Sequence, residues 1–168
     1  MKQLKTIFLS FALLIGAVSF TQAQSKVAHI NTQELVAAMP EMKAAQSELE
    51  TLSKTYQTDI QNSITEFQTL LKQYETEAAT KTEEENAKRG QEIQEKQQRI
   101  QQFQADAQKD LQQKELDLIK PITEKARTAI LKVARAQGFD YVLDASQGVA
   151  ILTDGKDLLN DVKKEMGI

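Results

Sequence analysis

The stretch LETLSKTYQTDIQNSITEFQTLLKQY, which runs from Leu49 to Tyr74, decides the fold predicted for this chain. Its large apolar residues recur every three or four positions, close to the spacing that lets two helices wind around each other. They are Leu49, Leu52, Tyr56, Ile60, Ile64, Phe67, Leu71 and Tyr74. Residues 41–79 contain neither Gly nor Pro. We therefore expect one rod-like helix of about 39 residues and roughly 60 Å.

The chain is predicted to turn after this helix and to return beside it. Residues 78–82 (AATKT) are the expected turn, because Thr82 followed by Glu85 matches a capping box that begins a new helix. The second leg, Glu83 to Ile119, keeps a helical spacing with gaps, and Gly90 inside it should cost about 1 kcal/mol relative to Ala. Its apolar positions are Ile93, Ile100, Phe103, Ala107, Leu111 and Leu118. Together the legs predict a long antiparallel helical hairpin over residues 41–119.

The polar composition of this region leaves disorder as an alternative. Residues 41–120 contain 16 acidic residues, 11 basic residues and 15 glutamines, and glutamine-rich segments can be disordered. The apolar period nevertheless persists, and Gln is a good helix former. We therefore predict a solvated helical rod.

The sequence before the hairpin predicts a strand and a short helix. Lys26 to Asn31 (KVAHIN) is β-branched at two positions and ends in a residue that can cap a helix. Gln33 to Met39 then fits a short helical segment. Pro40 should begin the long helix, because proline is tolerated in the first turn of a helix and not in its interior.

The sequence after the hairpin predicts a return to a compact body. Pro121 is expected to end the second leg, Ile122 to Ala136 to form a separate amphipathic helix, and Gly138 to stop that helix. The residues Ser146-Gln147-Gly148 predict the turn of a β-hairpin. The expected strands and the closing helix are Phe139 to Ala145, Val149 to Thr153 and Lys156 to Met166.

The predicted fold class is α+β and predominantly helical, with a small three-stranded β body carrying the long antiparallel hairpin. The C-terminal strands are apolar on both sides, and a small sheet of this kind needs cover on both faces. The body is therefore predicted to associate with further copies, whose number the residues leave open. The residues expected in this oligomer body are Val27, Ile30, Tyr141, Val142, Leu143, Val149, Ile151 and Leu152.

The first 23 residues are predicted to be an export signal. Two lysines precede an apolar stretch from Ile7 to Phe20, and small residues follow, so cleavage between Ala23 and Gln24 is expected. The alternative, a retained membrane anchor, needs roughly 20 apolar residues, and the stretch is shorter. Residues 24–168 are then one domain, with residues 24–40 and 120–168 as the body and 41–119 as the hairpin.

The composition argues against several classes of function. Without the first 23 residues the chain carries 19 basic and 24 acidic residues, so the clustered positive charge that binds nucleic acid is missing. The sequence contains no Cys and one histidine, His29, and it has no glycine-rich phosphate loop. We therefore expect no enzyme activity, cofactor or metal. The run Glu83 to Glu85 at a helix start favours the helix dipole rather than a cation site.

Both ends of the chain resemble the Skp/OmpH family of periplasmic chaperones. KVAHINTQELV, from Lys26, is similar to the opening strand and first helix of that family. ARTAILKVARAQGFDYVLDASQGVAILTDGKDLLNDV, from Ala126 to Val162, is similar to its return helix, strand pair and closing helix, including Asp144-Ala145. The resemblance covers essentially the whole chain after the signal.

The resemblance implies a periplasmic homotrimer whose strands form a shared barrel and whose hairpins surround a cavity that holds unfolded outer-membrane proteins without ATP. The best-known relatives are strongly basic, whereas this chain is acidic. A contact with lipopolysaccharide or a membrane surface, built from Lys and Arg, therefore has little support here. The alternative function is that of a structural coiled-coil adaptor or spacer of the cell envelope.

The apolar stripe of the hairpin admits two interpretations. Its residues could touch an unfolded client through many weak contacts, or they could simply pack the two legs together. The predicted client-contact residues are Phe67, Leu70, Leu71, Tyr74, Ile100 and Phe103.

Overall fold

The computed structural model of the chain describes residues 25–146, 148 and 154–168. The predicted signal peptide, with its cleavage point between Ala23 and Gln24, lies outside these residues. So does the predicted strand 149–153, with Val149, Ile151 and Leu152 of the expected oligomer body.

Most of the described residues are helical, and three short strands form one sheet. The elements in chain order are β1 (Val27–Ile30), α1 (Thr32–Ala38), α2 (Pro40–Glu77), a 3-10 turn (Ala78–Thr80), α3 (Glu83–Ala136), β2 (Tyr141–Asp144), β3 (Lys156–Asp157) and α4 (Leu159–Met166). The predicted fold class, a predominantly helical α+β chain with a small β body and a long helical hairpin, is confirmed.

The start of α2 follows from local chemistry. The side chain of Asn31 accepts a hydrogen bond from the backbone of Glu34 and caps α1. Met39 is extended, so the chain leaves α1 there, and Pro40 occupies the first turn of α2, where its missing N–H costs nothing. The predicted break between the short and the long helix is confirmed.

Helices α2 and α3 form the predicted antiparallel hairpin. Glu41, near the start of α2, contacts Lys125, near the end of α3, whereas Glu77 at the end of α2 contacts Arg89 near the start of α3. At the turn, Thr82 and Glu85 make the reciprocal side-chain to backbone hydrogen bonds of a capping box.

The interruption expected at Pro121 is wrong, because α3 runs unbroken for 54 residues through this proline. Proline inside a helix removes one backbone hydrogen bond and costs about 3 kcal/mol. Burial on its C-terminal side offsets this cost, since Ile122, Ala126 and Ile130 all lie in the core. Leu118, one turn before the proline, packs against the same core. Gly138, at a φ of 71°, follows the end of α3 as predicted.

The sheet has the order β2-β1-β3, and both strand pairs are parallel. The closing helix was expected from Lys156, and that boundary is wrong, because Lys156–Asp157 pair with β1 and the helix begins at Leu159. The Asp157 carboxylate accepts a hydrogen bond from the backbone N–H of Leu159. This bond favours a turn between β3 and α4. The spacing of apolar residues in the sequence did not indicate that turn.

One face of the sheet lies against the helices. Ala28 and Ile30 of β1 are almost fully buried there, and they share a core with residues of α1, α3 and α4. The largest fully buried side chains are Ile30, Leu35, Met39, Leu158 and Val162. The core therefore occupies the body and the root of the hairpin.

Candidate interaction surfaces

The hairpin has no core of its own. Residues 46–106, all of them described, include no fully buried side chain. Two helices side by side can cover only one stripe of each other. We call the apolar residues along this line of contact the seam, and each of them keeps one edge open to solvent. A long surface of partly exposed apolar groups results.

Five of the six predicted client-contact residues are half-buried in this seam, and Leu71 is 36% exposed. The ring of Phe103 packs edge-on against Tyr56, with ring centroids 6.0 Å apart. These residues therefore take part in packing the legs and also keep accessible surface. The half-buried members are Phe67, Leu70, Tyr74, Ile100 and Phe103. Their contact with a client stays a prediction.

Ion pairs between the legs were missed by the sequence reasoning. Each joins a glutamate of α2 to a basic residue of α3. The pairs are Glu41–Lys125, Glu48–Lys114 (2.8 Å), Glu66–Lys96 (3.6 Å) and Glu77–Arg89 (2.5 Å). In an antiparallel hairpin the position of the turn sets which residues face each other, so the capping box at Thr82 was a signal that could have located them.

Two tyrosines of α2 also bridge to carboxylates of α3. The hydroxyl of Tyr56 donates to Asp110 at 2.8 Å, and that of Tyr74 donates to Glu92 at 2.6 Å. These hydrogen bonds raise the pKa of both tyrosines above the usual value, because ionising the phenol would place two negative charges together. Both side chains thus have a polar end that helps to hold the legs in register.

The tip is closed by a cluster around Arg89. Its guanidinium lies 4.4 Å from the centre of the Tyr74 ring and donates to Glu77. Hydrogen bonds from Gln73 and then from Arg89 lower the pKa of the Glu77 carboxyl. This cluster ties the end of α2 to the start of α3 across the turn.

A groove of about 830 Å³ opens between the legs near the root of the hairpin. Ala44, Ser47, Thr51 and Leu52 line it from α2, and Lys114 lines it from α3. The residues on the α2 side are mostly small, so the helices leave space between them here. The groove adds accessible surface at the point where the hairpin meets the body.

The second face of the sheet points away from the helices and is apolar. Val27, Tyr141 and Leu143 are 41%, 60% and 48% exposed. Val27 is paired with Tyr141 across the two strands, and His29 is paired with Leu143. We call these four residues the open face. Sequence reasoning placed three of them in an oligomer body and left out His29.

Two other predicted body residues lie on the opposite side of the sheet. Ile30 is 1% exposed, and Val142 packs against the same core. Their apolar character therefore stabilises the single chain. The strands are apolar on both sides, as the sequence indicated, and the described helices cover one of these sides.

The end of β2 is fastened to the start of α1 by Asp144. Its carboxylate accepts hydrogen bonds from the Thr32 hydroxyl at 2.6 Å and from the Ser146 backbone N–H at 2.9 Å. Burial by itself would raise the pKa of Asp144, but the hydrogen bonds from Thr32 and Ser146 hold it below the usual range. This contact joins the end of β2 to the residues that directly follow β1, at the carboxyl ends of the two parallel strands.

The described residues offer no group of three or more His, Asp or Glu side chains arranged to hold a metal ion. None of the helices in the described ranges is both long enough and apolar enough to cross a membrane.

A family model described as "Outer membrane protein (OmpH-like)" matches residues 26–166. The chain belongs to the OmpH-like family. The match includes β1, the hairpin and the body after it, so the resemblance inferred from the two ends of the sequence is confirmed over nearly the whole chain.

A solved structure supports the fold assigned to this OmpH-like chain. The structure is that of a Caulobacter crescentus CB15 protein proposed to be an OmpH-like outer membrane chaperone. It shares 18% sequence identity with this chain, the match covers 87% of each chain, and the TM-score is 0.76. No curated protein matches the sequence. At this identity, the likeness establishes a common fold for the OmpH-like chain and its Caulobacter counterpart.

Proposed function

We propose that this OmpH-like chain is a periplasmic holding chaperone that binds unfolded outer-membrane proteins and prevents their aggregation without ATP during outer-membrane assembly. The observation that carries the proposal is the hairpin, in which residues 46–106 form a long polar rod with a partly exposed apolar seam and no core. Membership of the OmpH-like family and the likeness to a protein proposed to be an outer membrane chaperone support it.

The seam suits a client that has no fixed shape. An unfolded chain offers scattered apolar groups, and many weak contacts distributed along a rod can hold it without a defined pocket. Phe67, Leu71 and Phe103 supply apolar surface at intervals, and the polar residues between them keep the empty rod soluble. Binding and release then require no nucleotide, because no single contact is strong.

Assembly belongs to the same proposal. Several copies, three by family resemblance, would bury the open face of each sheet and arrange the hairpins around a shared space. The apolar side chains of the open face, Val27, Tyr141 and Leu143, support this arrangement. The described helices leave them exposed, and a small sheet with an exposed apolar face is unstable in water. Export through the predicted signal, with cleavage after Ala23, would deliver the chain to the periplasm.

The function is tested by diluting a urea-unfolded β-barrel outer-membrane protein into buffer with this protein at near-stoichiometric ratio. We expect the β-barrel protein to stay soluble without nucleotide, as measured by light scattering. Aggregation at the same rate as in buffer alone would reject the proposal.

The role of the seam is tested by the triple variant Phe67→Ser, Leu71→Ser and Phe103→Ser. We expect the holding activity to fall while helicity measured by circular dichroism is kept. The matched control replaces the exposed neighbours Gln68, Thr69 and Gln104 by Ser and should hold the client normally. Loss of helicity in the first variant would assign these residues to leg packing instead.

The adaptor or spacer function is the second candidate, and the ion pairs and tyrosine bridges between the legs favour it, because they stiffen the rod. An adaptor would capture a folded envelope protein and would leave the unfolded β-barrel protein to aggregate. The same dilution assay therefore separates the two functions.

A further inference from the structure

The contacts between the two legs of the hairpin recur at a spacing of 18 residues along each leg, which is about five turns of an α-helix. Moving by this spacing from the tip toward the root leads from one contact to another of the same kind. The matching ion pairs are Glu66–Lys96 and Glu48–Lys114, and the matching tyrosine bridges are Tyr74–Glu92 and Tyr56–Asp110. The tip half and the root half of the hairpin therefore follow one contact pattern.

The arginine of the tip cluster has no counterpart in the root half. At the tip, the guanidinium of Arg89 lies 4.4 Å from the centre of the Tyr74 ring and donates to Glu77. The residue 18 positions after Arg89 is Ala107, whereas Asp59, at the counterpart position of Glu77, keeps a carboxylate. The root half thus repeats the tyrosine and the carboxylates of the tip cluster with alanine in place of the arginine.

A groove of about 410 Å³ opens beside the tyrosine of the root half. The side chains of Tyr56 and Phe103, of Asp106 and Asp110, and Ala107 line it. The two rings pack edge-on, with centroids 6.0 Å apart. We call this space the aromatic groove. It shares Asp110 with the larger groove near the root, so a chain lying along the legs can contact both.

The aromatic groove carries more negative than positive charge. Asp106 accepts a hydrogen bond from the side-chain amide of Gln102 at 2.9 Å. Asp110 accepts its hydrogen bond from the hydroxyl of Tyr56, so both donors are neutral. Within the described ranges of the chain, neither aspartate belongs to an ion pair. Lys109 in the lining supplies one positive charge against these two negative charges.

The nearest lysine on the root side is already bound and does not neutralise the groove. The ammonium group of Lys114 lies 2.8 Å from the carboxylate of Glu48. This contact is the main cause that raises the pKa of Lys114, and the negative charges of Asp110 and Asp117 raise it further. The negative potential of the aromatic groove therefore extends toward the root and favours a cationic occupant.

We propose that the aromatic groove binds an arginine side chain of the unfolded client. The inference rests on the proposed holding function and names the kind of client segment that this part of the hairpin selects. The guanidinium lies against the rings of Tyr56 and Phe103, and it donates to the carboxylates of Asp106 and Asp110. The cluster around Arg89 at the tip supports this arrangement, because there the same hairpin combines an arginine with a tyrosine ring and a carboxylate.

Arginine fits the aromatic groove better than the other charged side chains do. Its planar guanidinium stacks on aromatic rings and binds carboxylates through two N–H groups at once, whereas the ammonium group of lysine is a point charge. A glutamate would be repelled by the two aspartates. The preferred client segment therefore carries arginine among apolar residues, which can contact the neighbouring seam.

The test measures the binding of short, blocked, fluorescent peptides to the protein as isolated after export. In each peptide leucine and serine alternate around a central arginine, citrulline or glutamate. Citrulline has nearly the shape of arginine and carries no charge. By fluorescence anisotropy at low salt, the arginine peptide should bind about fivefold or more tightly than the citrulline peptide. The glutamate peptide should bind most weakly, and high salt should reduce the differences.

A double substitution assigns the preference to the aromatic groove. Asp106→Asn with Asp110→Asn removes both charges, keeps the shape of the side chains and leaves an acceptor for the Tyr56 hydroxyl. This variant should bind the arginine and citrulline peptides about equally. The matched control, Glu95→Gln with Glu115→Gln, removes two charges from exposed positions of α3 outside the groove lining and should keep the preference. Circular dichroism checks that both variants keep their helicity.

Three results would overturn the inference. They are no tighter binding of the arginine peptide than of the citrulline peptide, an unchanged preference in the double aspartate variant, and a preference lost equally in the control. None of them decides the holding function, which the dilution assay judges by itself. A protein that prefers the arginine peptide and still lets the β-barrel protein aggregate would keep the site and reject the proposed function.

Discussion

The body and the hairpin of this OmpH-like chain obtain their stability in different ways. In the body, Leu35, Met39, Leu158 and Val162 have no accessible surface at all, and burial of such side chains is the main source of folding free energy. In the hairpin, residues 46–106 have none that is fully buried, and ion pairs and tyrosine bridges accompany a thin apolar seam. Side chains of the hairpin can therefore be changed with little effect on the stability of the body.

The largest effect on stability is expected when a leucine is replaced by alanine, and its size should differ between the body and the hairpin. Leu35→Ala removes a fully buried side chain of the body and should lower the free energy of unfolding by about 2–5 kcal/mol. Leu52→Ala removes a half-buried side chain of the hairpin and should cost clearly less, because the seam already contacts water. Urea denaturation followed by circular dichroism measures both. Equal losses would mean that the hairpin contains a core after all.

A smaller effect is expected at Asp144, at the edge of the body. Its pKa is lowered from an ordinary value near 3.8 in the folded chain. The stability that it contributes is therefore present above that value and is lost as the pH falls through the lower folded value. Asp144→Asn should lower the free energy of unfolding by about 1 kcal/mol at neutral pH.

The pH profile of this variant provides the control. The difference between Asp144→Asn and the original chain should shrink below about pH 4, as the original carboxylate becomes protonated. A constant difference down to about pH 2 would show that the loss comes from changed packing and not from the charge.

Near the tip of the hairpin, Gly90 should be replaceable with a gain. A Cβ added there meets no atom within 4 Å, and Ala loses less backbone entropy in a helix. Gly90→Ala should stabilise the hairpin by about 0.5–1 kcal/mol, seen as a higher midpoint of thermal unfolding. A lower midpoint would mean that the tip needs the freedom of glycine.

The smallest effect is expected for the ion pairs between the legs. Glu48→Lys opposes Lys114 and should lower the melting temperature by no more than about 3 °C, because the pair is exposed. Adding Lys114→Glu should restore the loss. High salt should reduce the difference between the single variant and the original chain. No restoration in the double variant would exclude a direct interaction of the two side chains.

The sequence predicted features that depend on neighbouring residues correctly, and it failed for features that depend on residues far away along the chain. The capping box at Thr82, the start of α2 at Pro40 and the stop before Gly138 depend on neighbouring residues, and all three were predicted correctly. The break at Pro121 was wrong, because the burial of Ile122 and Ala126 against distant elements outweighs the local cost of the proline. The strand at Lys156 was missed, because two residues carry too short a pattern and β1 provides their pairing.

By itself, the sequence determined the hairpin, because a stripe of apolar residues with a 3–4 spacing and the caps at its ends depend on positions close along the chain. Which face of the sheet the helices cover follows only from the tertiary structure. The tertiary structure also places His29 on the face that the described helices leave open. These outcomes depend on residues more than 100 positions apart, such as Val27 and Tyr141, and no local spacing encodes how such residues meet.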